Sequence, residues 1–328
     1  MASKMKAIVA TGYGTPEVFQ LQSVTKPEPK ANEVLVKVKT SAATKADAMM
    51  RTGKPYFARL FIGLTKPKTG IPGTGFAGIV EQVGENVSNF QVGDRVFGET
   101  AFGFKANAEF LTVSENGVIL PLPENIEFAA ASNFCDGHLT SYNFLKEIAD
   151  VKPGQKVLIN GASGALGMSA VQIAKYLGAE VTGVCGDRNA GLIKSLGADK
   201  VLDYYKEDFT QSEDRYDIIY DTVGKSSFKA CKGILKDKGI YLSPVLQFPL
   251  MIQMVITSFF KGKKAKFQAT GANKEEKLRF MLSEVLEIYK AGKLKTVIDR
   301  QFPLEKLAEA HTYIDSGHKK GNVVIYNA

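Results

Sequence analysis

The 328-residue chain has no tryptophan, only three histidines and only three cysteines. Cys135, Cys185 and Cys231 lie far apart and form no C-x-x-C pair. That spacing gives no support to a disulfide framework or a zinc knuckle, and reduced thiols in a cytoplasmic protein are the simplest reading. The N-terminus carries no long apolar stretch, so no secretory leader is expected. There is no internal repeat and no low-complexity tract. Hydrophobic residues make up 45% and charged residues 23%, as in an ordinary folded protein. Acidic residues are outnumbered, 34 against 42 basic, for a formal charge of +8. An excess of that sign favours anionic partners such as phosphorylated cofactors. The lysines are mostly scattered, the one dense cluster being Lys261, Lys263, Lys264 and Lys266. With no recognition motif beside them, nucleic acid is not expected as a partner.

The length suits two domains. The first third reads as short strands at 6–10, 33–39, 78–83, 94–98 and 109–113, punctuated by Gly84, Gly93-Asp94 and Asn116-Gly117. Val34, Val36 and Val38 share one face. This pattern predicts a small barrel-like β domain. Helix-like segments follow at 127–131 and 140–149. From Lys156 onward strands alternate with helices: 156–160, 165–177, 180–185, 190–196, 201–204, 216–221, 239–244 and 265–269. Such alternation predicts an α/β domain with a doubly wound parallel sheet. A charged helix at 274–291, a strand at 297–302, a surface helix at 304–316 carrying His311, and a last strand at 322–326 close the chain. This tail is expected to return to the first domain. The expected division is therefore 1–125 with 271–328 as the substrate domain and 126–270 as the dinucleotide-binding domain, with a ligand cleft between them.

The chemistry starts at Asn160-Gly161-Ala162-Ser163-Gly164-Ala165-Leu166-Gly167, which follows a predicted strand and opens a predicted helix. That context suits a dinucleotide loop: glycines allow the tight turn, the close backbone approach and the packing of helix on strand. The helix N-terminus then offers free N–H groups to a pyrophosphate. The spacing is G-x-x-G-x-x-G rather than G-x-G-x-x-G. At the tip of the next strand Asp187 precedes Arg188. An acidic residue there suits a ribose diol, an arginine a 2′-phosphate. With Asp187 expected to cap the following helix, Arg188 favours NADPH, with NADH as the alternative.

Taken in order, Pro72-Gly73-Thr74-Gly75-Phe76-Ala77-Gly78-Ile79-Val80, Val83-Gly84, Gly93-Asp94-Arg95-Val96, Leu139-Thr140-Ser141-Tyr142, the glycine loop, Asp221-Thr222-Val223-Gly224 and Lys319-Lys320-Gly321-Asn322-Val323-Val324 resemble the medium-chain dehydrogenase/reductase superfamily, in particular its zinc-independent quinone oxidoreductase branch. The resemblance covers nearly the whole chain. It implies a GroES-like β-barrel-type domain beside a Rossmann domain, commonly in a homodimer. It also implies cofactor contacts at Thr140, Gly161, Ser163, Gly164, Ala165, Leu166, Gly167, Arg188, Tyr204, Thr222, Val223, Gly224, Leu242, Ser243, Lys320 and Asn322.

The departures from the zinc alcohol dehydrogenases of that superfamily are as informative. Their cysteine three residues before the aspartate matching Asp47 is Thr44 here, their histidine-glutamate pair falls on Thr74-Gly75, their later cysteine falls near Asp136, and no four-cysteine lobe occurs. Without thiolate and imidazole ligands no tetrahedral zinc is expected. A simple alcohol then lacks a Lewis acid, whereas a quinone or α,β-unsaturated carbonyl delocalises the charge left by hydride addition. The implied function is NADPH-dependent reduction of such small molecules; the alternative is a non-catalytic NADPH-binding sensor or scaffold. Candidate catalytic groups are Thr44, Tyr56 and His138, the last weighed against a packing role at a helix start. The family's aromatic residue two positions after the aspartate is Met49 here, which removes one tyrosine-assisted route. Cys135 has no evident activating partner and reads as packing. The apolar segment 245–260, broken by Pro249, Gln253 and Thr257, is too short to span a membrane. Ordinary packing is its simplest reading, ahead of a pocket cover, a dimer contact or a membrane-surface contact.

Overall fold

The computed structural model describes residues 3–54, 56, 59–68, 70–100 and 104–327. They fall into two compact units, one of Met1–Asp136, Lys274–Ser283 and Thr296–Ala328, the other of Gly137–Asn273 and Glu284–Lys295.

The first unit opens with an antiparallel ribbon of β1 (Lys4–Ala10) and β2 (Phe19–Thr25). β3 (Glu33–Ala43) is the long central strand of a sheet with β4 (Gly75–Val83), β5 (Arg95–Glu99), β6 (Phe110–Ser114) and β7 (Val118–Pro121). Val34, Val36 and Val38 point together into a core with Phe76, Val80, Val96, Leu111 and Ile119. Between β3 and β4 runs the helix Lys45–Thr52, which the sequence reading did not anticipate. Its cause is local: Thr44 and Asp47 form a reciprocal capping box, and Gly53 ends the helix in the left-handed region.

In the second unit β8 (Lys156–Asn160), β9 (Glu180–Cys185), β10 (Lys200–Asp203), β11 (Tyr216–Asp221), β12 (Leu235–Leu242) and β13 (Lys264–Lys266) run parallel in the order β10-β9-β8-β11-β12-β13. This is the expected doubly wound sheet. Val157, Leu158 and Ile159 of β8 are fully buried, as a central parallel strand requires. The chain winds from β8 to one edge, then returns to β11, so the switch point lies between those two strands. β12 begins at Leu235 rather than at residue 239. Lys238, at φ 64°, bulges the strand between the pairs Tyr216–Leu235 and Ile218–Ile240, which hides its first half from a reading of periodicity. Back in the first unit, β14 (Ile298–Pro303) lies parallel to β15 (Asn322–Tyr326), and β15 pairs antiparallel with β3.

Two expectations are corrected. The segment 245–260 is not simply packed. It forms the helix Phe248–Phe259, with Leu250 and Thr257 buried but Phe248, Val255 and Phe259 exposed. His311 is not on a surface either. Its helix, Leu307–Asp315, turns it into a cluster with Phe19, Leu307, Ile314 and Val323, edge-on to the Phe19 ring at 4.9 Å.

Neither ring nitrogen of His311 has a hydrogen-bond partner among the described residues, and burial pushes its pKa down to about 3. Between that value and the free value of 6.5 the unfolded chain binds the proton that the folded chain refuses. The histidine therefore costs stability as pH falls through that window. His311→Leu should raise the melting temperature, by about 1–3 kcal/mol of removed desolvation penalty, with a larger gain at pH 5 than at pH 8. Thermal melts of both proteins at the two pH values check this; an equal or lower melting temperature for the variant would refute it.

Candidate active site

The glycine loop sits where β8 ends and the helix Ala165–Tyr176 begins. Gly161 holds φ 79°, and a Cβ there would lie 2.2 Å from Val223 Cγ2, so only glycine fits. A Cβ on Gly167 would lie 2.1 Å from the Gly161 carbonyl, which explains how closely the helix approaches the turn. The N–H groups of Gly161 and Ala162 donate to the Val184 carbonyl at 3.1 and 3.0 Å, locking the turn onto β9. Gly164 is the N-cap and supplies no side-chain acceptor, so the first amides of the helix lack an intrahelical partner and are available to an anion. Ser163, Gly164 and Leu166 are half-buried, whereas Ala165 and Gly167 are buried.

Beneath the loop lies a residue outside the sequence-derived set. Asp221, the fully buried last residue of β11, accepts from Asn160 Nδ2 at 2.9 Å, Val223 N at 3.2 Å and Gly224 N at 3.0 Å through one oxygen. Its other oxygen accepts from Ser226 N at 3.0 Å and the Tyr241 hydroxyl at 2.9 Å. Thr222 donates its hydroxyl to the Asn160 carbonyl at 2.8 Å. The loop after β8, the turn after β11 and the side chain of Tyr241 on β12 thus share one carboxylate. The charged residue at the head of Asp221-Thr222-Val223-Gly224 was the available signal. Leu242 and Ser243, at the end of β12, are buried beside the same sheet edge, and Thr140 is half-buried at the start of its short helix.

At the tip of β9, Asp187 does not cap a helix, because no side-chain cap bond forms there. Its carboxylate instead pairs with Lys206 Nζ at 3.4 Å. Arg188 is exposed and makes no ion pair among the described residues. Tyr204 is half-exposed, its ring 4.4 Å from that of Tyr205. Their surroundings form a shallow hollow of about 350 Å³ with Lys206 in its lining.

His138 is buried, with Nδ1 2.8 Å from Ser169 Oγ, whose own proton goes to the Ala165 carbonyl. Nδ1 is therefore the donor. Burial depresses the pKa to about 3, which leaves the ring neutral at pH 7.

The remaining candidates belong to the first unit. Thr44 is buried, and its hydroxyl donates to Asp47 Oδ2 at 2.8 Å while accepting from Asp47 N at 3.1 Å. Tyr56 is exposed, its ring 4.9 Å from the Arg59 guanidinium carbon. Lys320 is exposed, and its backbone N–H donates to Asp299 at 2.7 Å. Asn322 is buried, and its amide donates to the Val297 carbonyl at 3.0 Å.

The same unit also gathers an ionisable cluster that the sequence reading passed over. Burial raises Asp47 and Glu99 to about 7, and Asp136 adds to both. Asp136 is itself raised by burial and lowered by Lys319. Lys319 is depressed by burial against the pull of Asp136 and Asp299, and its Nζ donates to the Gly321 carbonyl at 2.9 Å. Burial, with the Glu99 and Asp136 carboxylates, also raises the Cys135 thiol, so it is a poor nucleophile at neutral pH. No three His, Cys, Asp or Glu side chains among the described residues are placed to share a metal ion.

Residues 30–124 match the alcohol dehydrogenase GroES-like domain, and residues 196–325 match the zinc-binding dehydrogenase family. The chain is 32% identical to 2-methylene-furan-3-one reductase of Solanum lycopersicum, over 99% of this chain and 79% of that protein. The chain belongs to the medium-chain dehydrogenase/reductase superfamily, in its quinone oxidoreductase-like branch. It is also 29% identical to the chloroplastic NADPH-dependent alkenal/one oxidoreductase of Arabidopsis thaliana, over 98% of this chain and 80% of that one. The solved quinone oxidoreductase of Coxiella burnetii superposes with a TM-score of 0.86 at 28% identity, covering 99% of each chain. By family, then, this medium-chain dehydrogenase/reductase is an oxidoreductase. Its first unit carries the GroES-like fold and its second the Rossmann-like sheet.

Two outcomes follow for this family member. Asp221→Asn turns an amide NH2 either on Asn160, Val223 and Gly224 or on Ser226 and Tyr241, leaving at least one backbone N–H without its acceptor. It should cost about 2–4 kcal/mol, read as a lower melting temperature, while Asp187→Asn at the exposed tip leaves the melt unchanged. Glu99→Gln should raise the melting temperature at pH 8 and raise it much less at pH 5. A carboxyl raised from 4.5 to about 7 in the fold costs stability as pH rises across that interval, and the amide does not titrate. Equal wild-type and variant melts at pH 8 would contradict this.

Proposed function

We propose that this chain is a zinc-free, NADPH-dependent reductase of quinones and α,β-unsaturated carbonyl compounds. The observation that carries the reading is the cradle at the switch point. Gly161 and Gly167 leave room that a Cβ would fill, and the helix behind them presents unpartnered amides. That fits a pyrophosphate. Arg188 supplies the 2′-phosphate partner, since Lys206 offsets the negative charge of Asp187. Tyr204 stands on the same rim, and Thr222, Val223 and Gly224 border the loop from the other side.

When bound, the reduced nicotinamide supplies a hydride to the conjugated acceptor. The chain's own groups bind and orient. The Thr44 hydroxyl is committed to Asp47 and the His138 ring stays neutral, so neither is poised to protonate an enolate. Water supplies that proton in this reading. The positions that hold zinc in related alcohol dehydrogenases do not fit the metal here. Thr44, whose hydroxyl is committed to Asp47, and the Thr74-Gly75 pair offer no thiolate or imidazole, and Cys135 is held as a thiol. The names of the tomato and Arabidopsis relatives support the substrate class and the cofactor. Cytoplasmic location and a homodimer belong to the same proposal.

An acceptor screen following loss of reduced-nicotinamide absorbance tests it. Quinones or enones should be turned over, faster with NADPH than with NADH and unaffected by a zinc chelator. Arg188→Ala should raise KM for NADPH roughly tenfold and leave KM for NADH unchanged, the loss of one charge-assisted pair. NADPH binding without turnover of any acceptor would favour a sensor or scaffold instead.

A further inference from the structure

The sheet of the first unit brings four chain segments to one end. β15 starts at Asn322 and pairs Val323 with Ala43, β3 pairs Ser41 with Phe76, and β4 pairs Gly75 with Glu99. The turn before β15, the capping box of Thr44 and Asp47, the start of β4 at Thr74-Gly75 and the end of β5 at Glu99 therefore stand side by side. Thr100 N–H donates to the Thr74 carbonyl at 3.0 Å, and Gly73 N–H donates to the Asp47 carboxyl. Asp136 acts on both Asp47 and Glu99 there, and Lys319 is the cation set against Asp136.

The turn around Lys319 is locked on both sides. Lys320 N–H and the Tyr313 hydroxyl donate to Asp299 at 2.7 and 2.6 Å. Asn322 donates its N–H and its side-chain amide to the Val297 carbonyl at 2.9 and 3.0 Å. Gly321 holds φ 83°, and a Cβ there would lie 2.4 Å from the Val297 carbonyl, so the turn closes tightly on β14. His318 and Lys320 are exposed, whereas Lys319 between them is half-buried. Its ammonium has three N–H donors, of which one goes to the Gly321 carbonyl at 2.9 Å. Lys319 forms no ion pair among the described residues. Asp136 and Asp299 attract its charge from beyond contact, and Lys45, itself paired with Asp315 at 3.5 Å, opposes them. A positioned and partly desolvated cation thus keeps two N–H groups for an acceptor that the chain does not supply.

We propose that Lys319 binds the carbonyl oxygen of the acceptor and stabilises the charge that hydride addition places on it, a catalytic role that rests on the reductase reading above. The hydride bonds to the β-carbon with oxidation of the nicotinamide, and the C=C pair moves toward the oxygen to give an enolate. That oxygen accepts from the two unused N–H groups, a charge-assisted contact that strengthens as the negative charge develops. The ammonium keeps its protons, and the α-carbon takes its proton from water. Lys319 thereby does by hydrogen bonding what a Lewis acid would do at the same end of the sheet. The carboxyl groups beside it set the substrate class. Asp136, with Asp47 and Glu99 next to it, repels an acceptor that carries a carboxylate, so neutral enones, enals and quinones are favoured over unsaturated acids.

4-Nitrophenol, whose coloured phenolate mimics an enolate oxygen, tests the assignment without turnover. Bound to the full chain, its ionisation should shift toward the anion by roughly tenfold, read from its visible absorbance. Lys319→Met should abolish that shift and Lys319→Arg, which keeps the charge, should retain most of it. In the acceptor screen Lys319→Met should lower kcat for an enone roughly a hundredfold and leave KM for NADPH unchanged. Added ethylammonium should restore part of the rate to Lys319→Ala. Circular dichroism melts verify that the variants are folded. No shift in the wild-type chain, or an equal shift in Lys319→Met, overturns the proposal. So does a loss confined to KM for NADPH, which would assign the lysine to the cofactor. Absence of turnover with every acceptor, beside an intact Lys319-dependent shift, overturns the reductase reading and upholds the oxygen site.

Discussion

The buried carboxylate of Asp221 is the contact on which the sheet edge depends. Five donors from the ends of β8 and β12 and from the turn after β11 converge on it. Without it, those donors would face low dielectric unpaired, at a cost that a single strand pairing does not offset. Its geometric consequence is at Gly161. The carboxylate draws Val223 and Gly224 toward the strand end, so the Val223 side chain occupies the space where a Cβ on residue 161 would stand. The turn after β8 must then be glycine, the chain must reverse there, and the following helix starts with its amides uncapped. An anion site at a helix N-terminus is thus produced from one strand away.

The buried ionisable groups pull stability in opposite directions over nearly the same pH range. His138 and His311, depressed to about 3, favour the fold as pH rises toward 6.5. Asp47 and Glu99, raised to about 7, favour it as pH falls toward 4. The two kinds oppose one another, and Asp136, also raised by burial, adds to the acidic side, so the wild-type profile is shallower than the slope of any one of these sites. The acids and His311 lie in the first unit and His138 in the second, so the compensation is unequal between the units.

What a reader of the sequence could recover follows from the range of the forces involved. The central strands β8, β9 and β11 were legible to the residue, because a fully buried parallel strand bounded by glycine or a charged residue has one local explanation. β2 was not, since its exposure alternates poorly along Phe19–Thr25. The start of β12 was masked by the bulge at Lys238. The helix Lys45–Thr52 was signalled by T-x-x-D at Thr44–Asp47, a capping pattern read instead for its relation to metal ligands. The glycine loop was visible because Gly161, Gly164 and Gly167 recur at a short, regular spacing between a strand and a helix. The roles of Asp221, Glu99 and Lys319 were not, because each depends on partners distant in sequence: Tyr241 for the first, Asp136 for the others.

The ribose edge shows the same limit in miniature. In sequence, Asp187 and Arg188 argue for opposite cofactors and adjacency cannot choose. In the proposed reading Lys206 tips the balance: it stands beyond the next strand and pairs with both Asp187 and Asp203. With its charge offset, Asp187 repels a 2′-phosphate less, and the neighbouring guanidinium remains without a carboxylate. The exposed pair is weak in its own right. Its weight in the proposal lies in altering the local field beside Arg188, where the two candidate cofactors would differ by one phosphate.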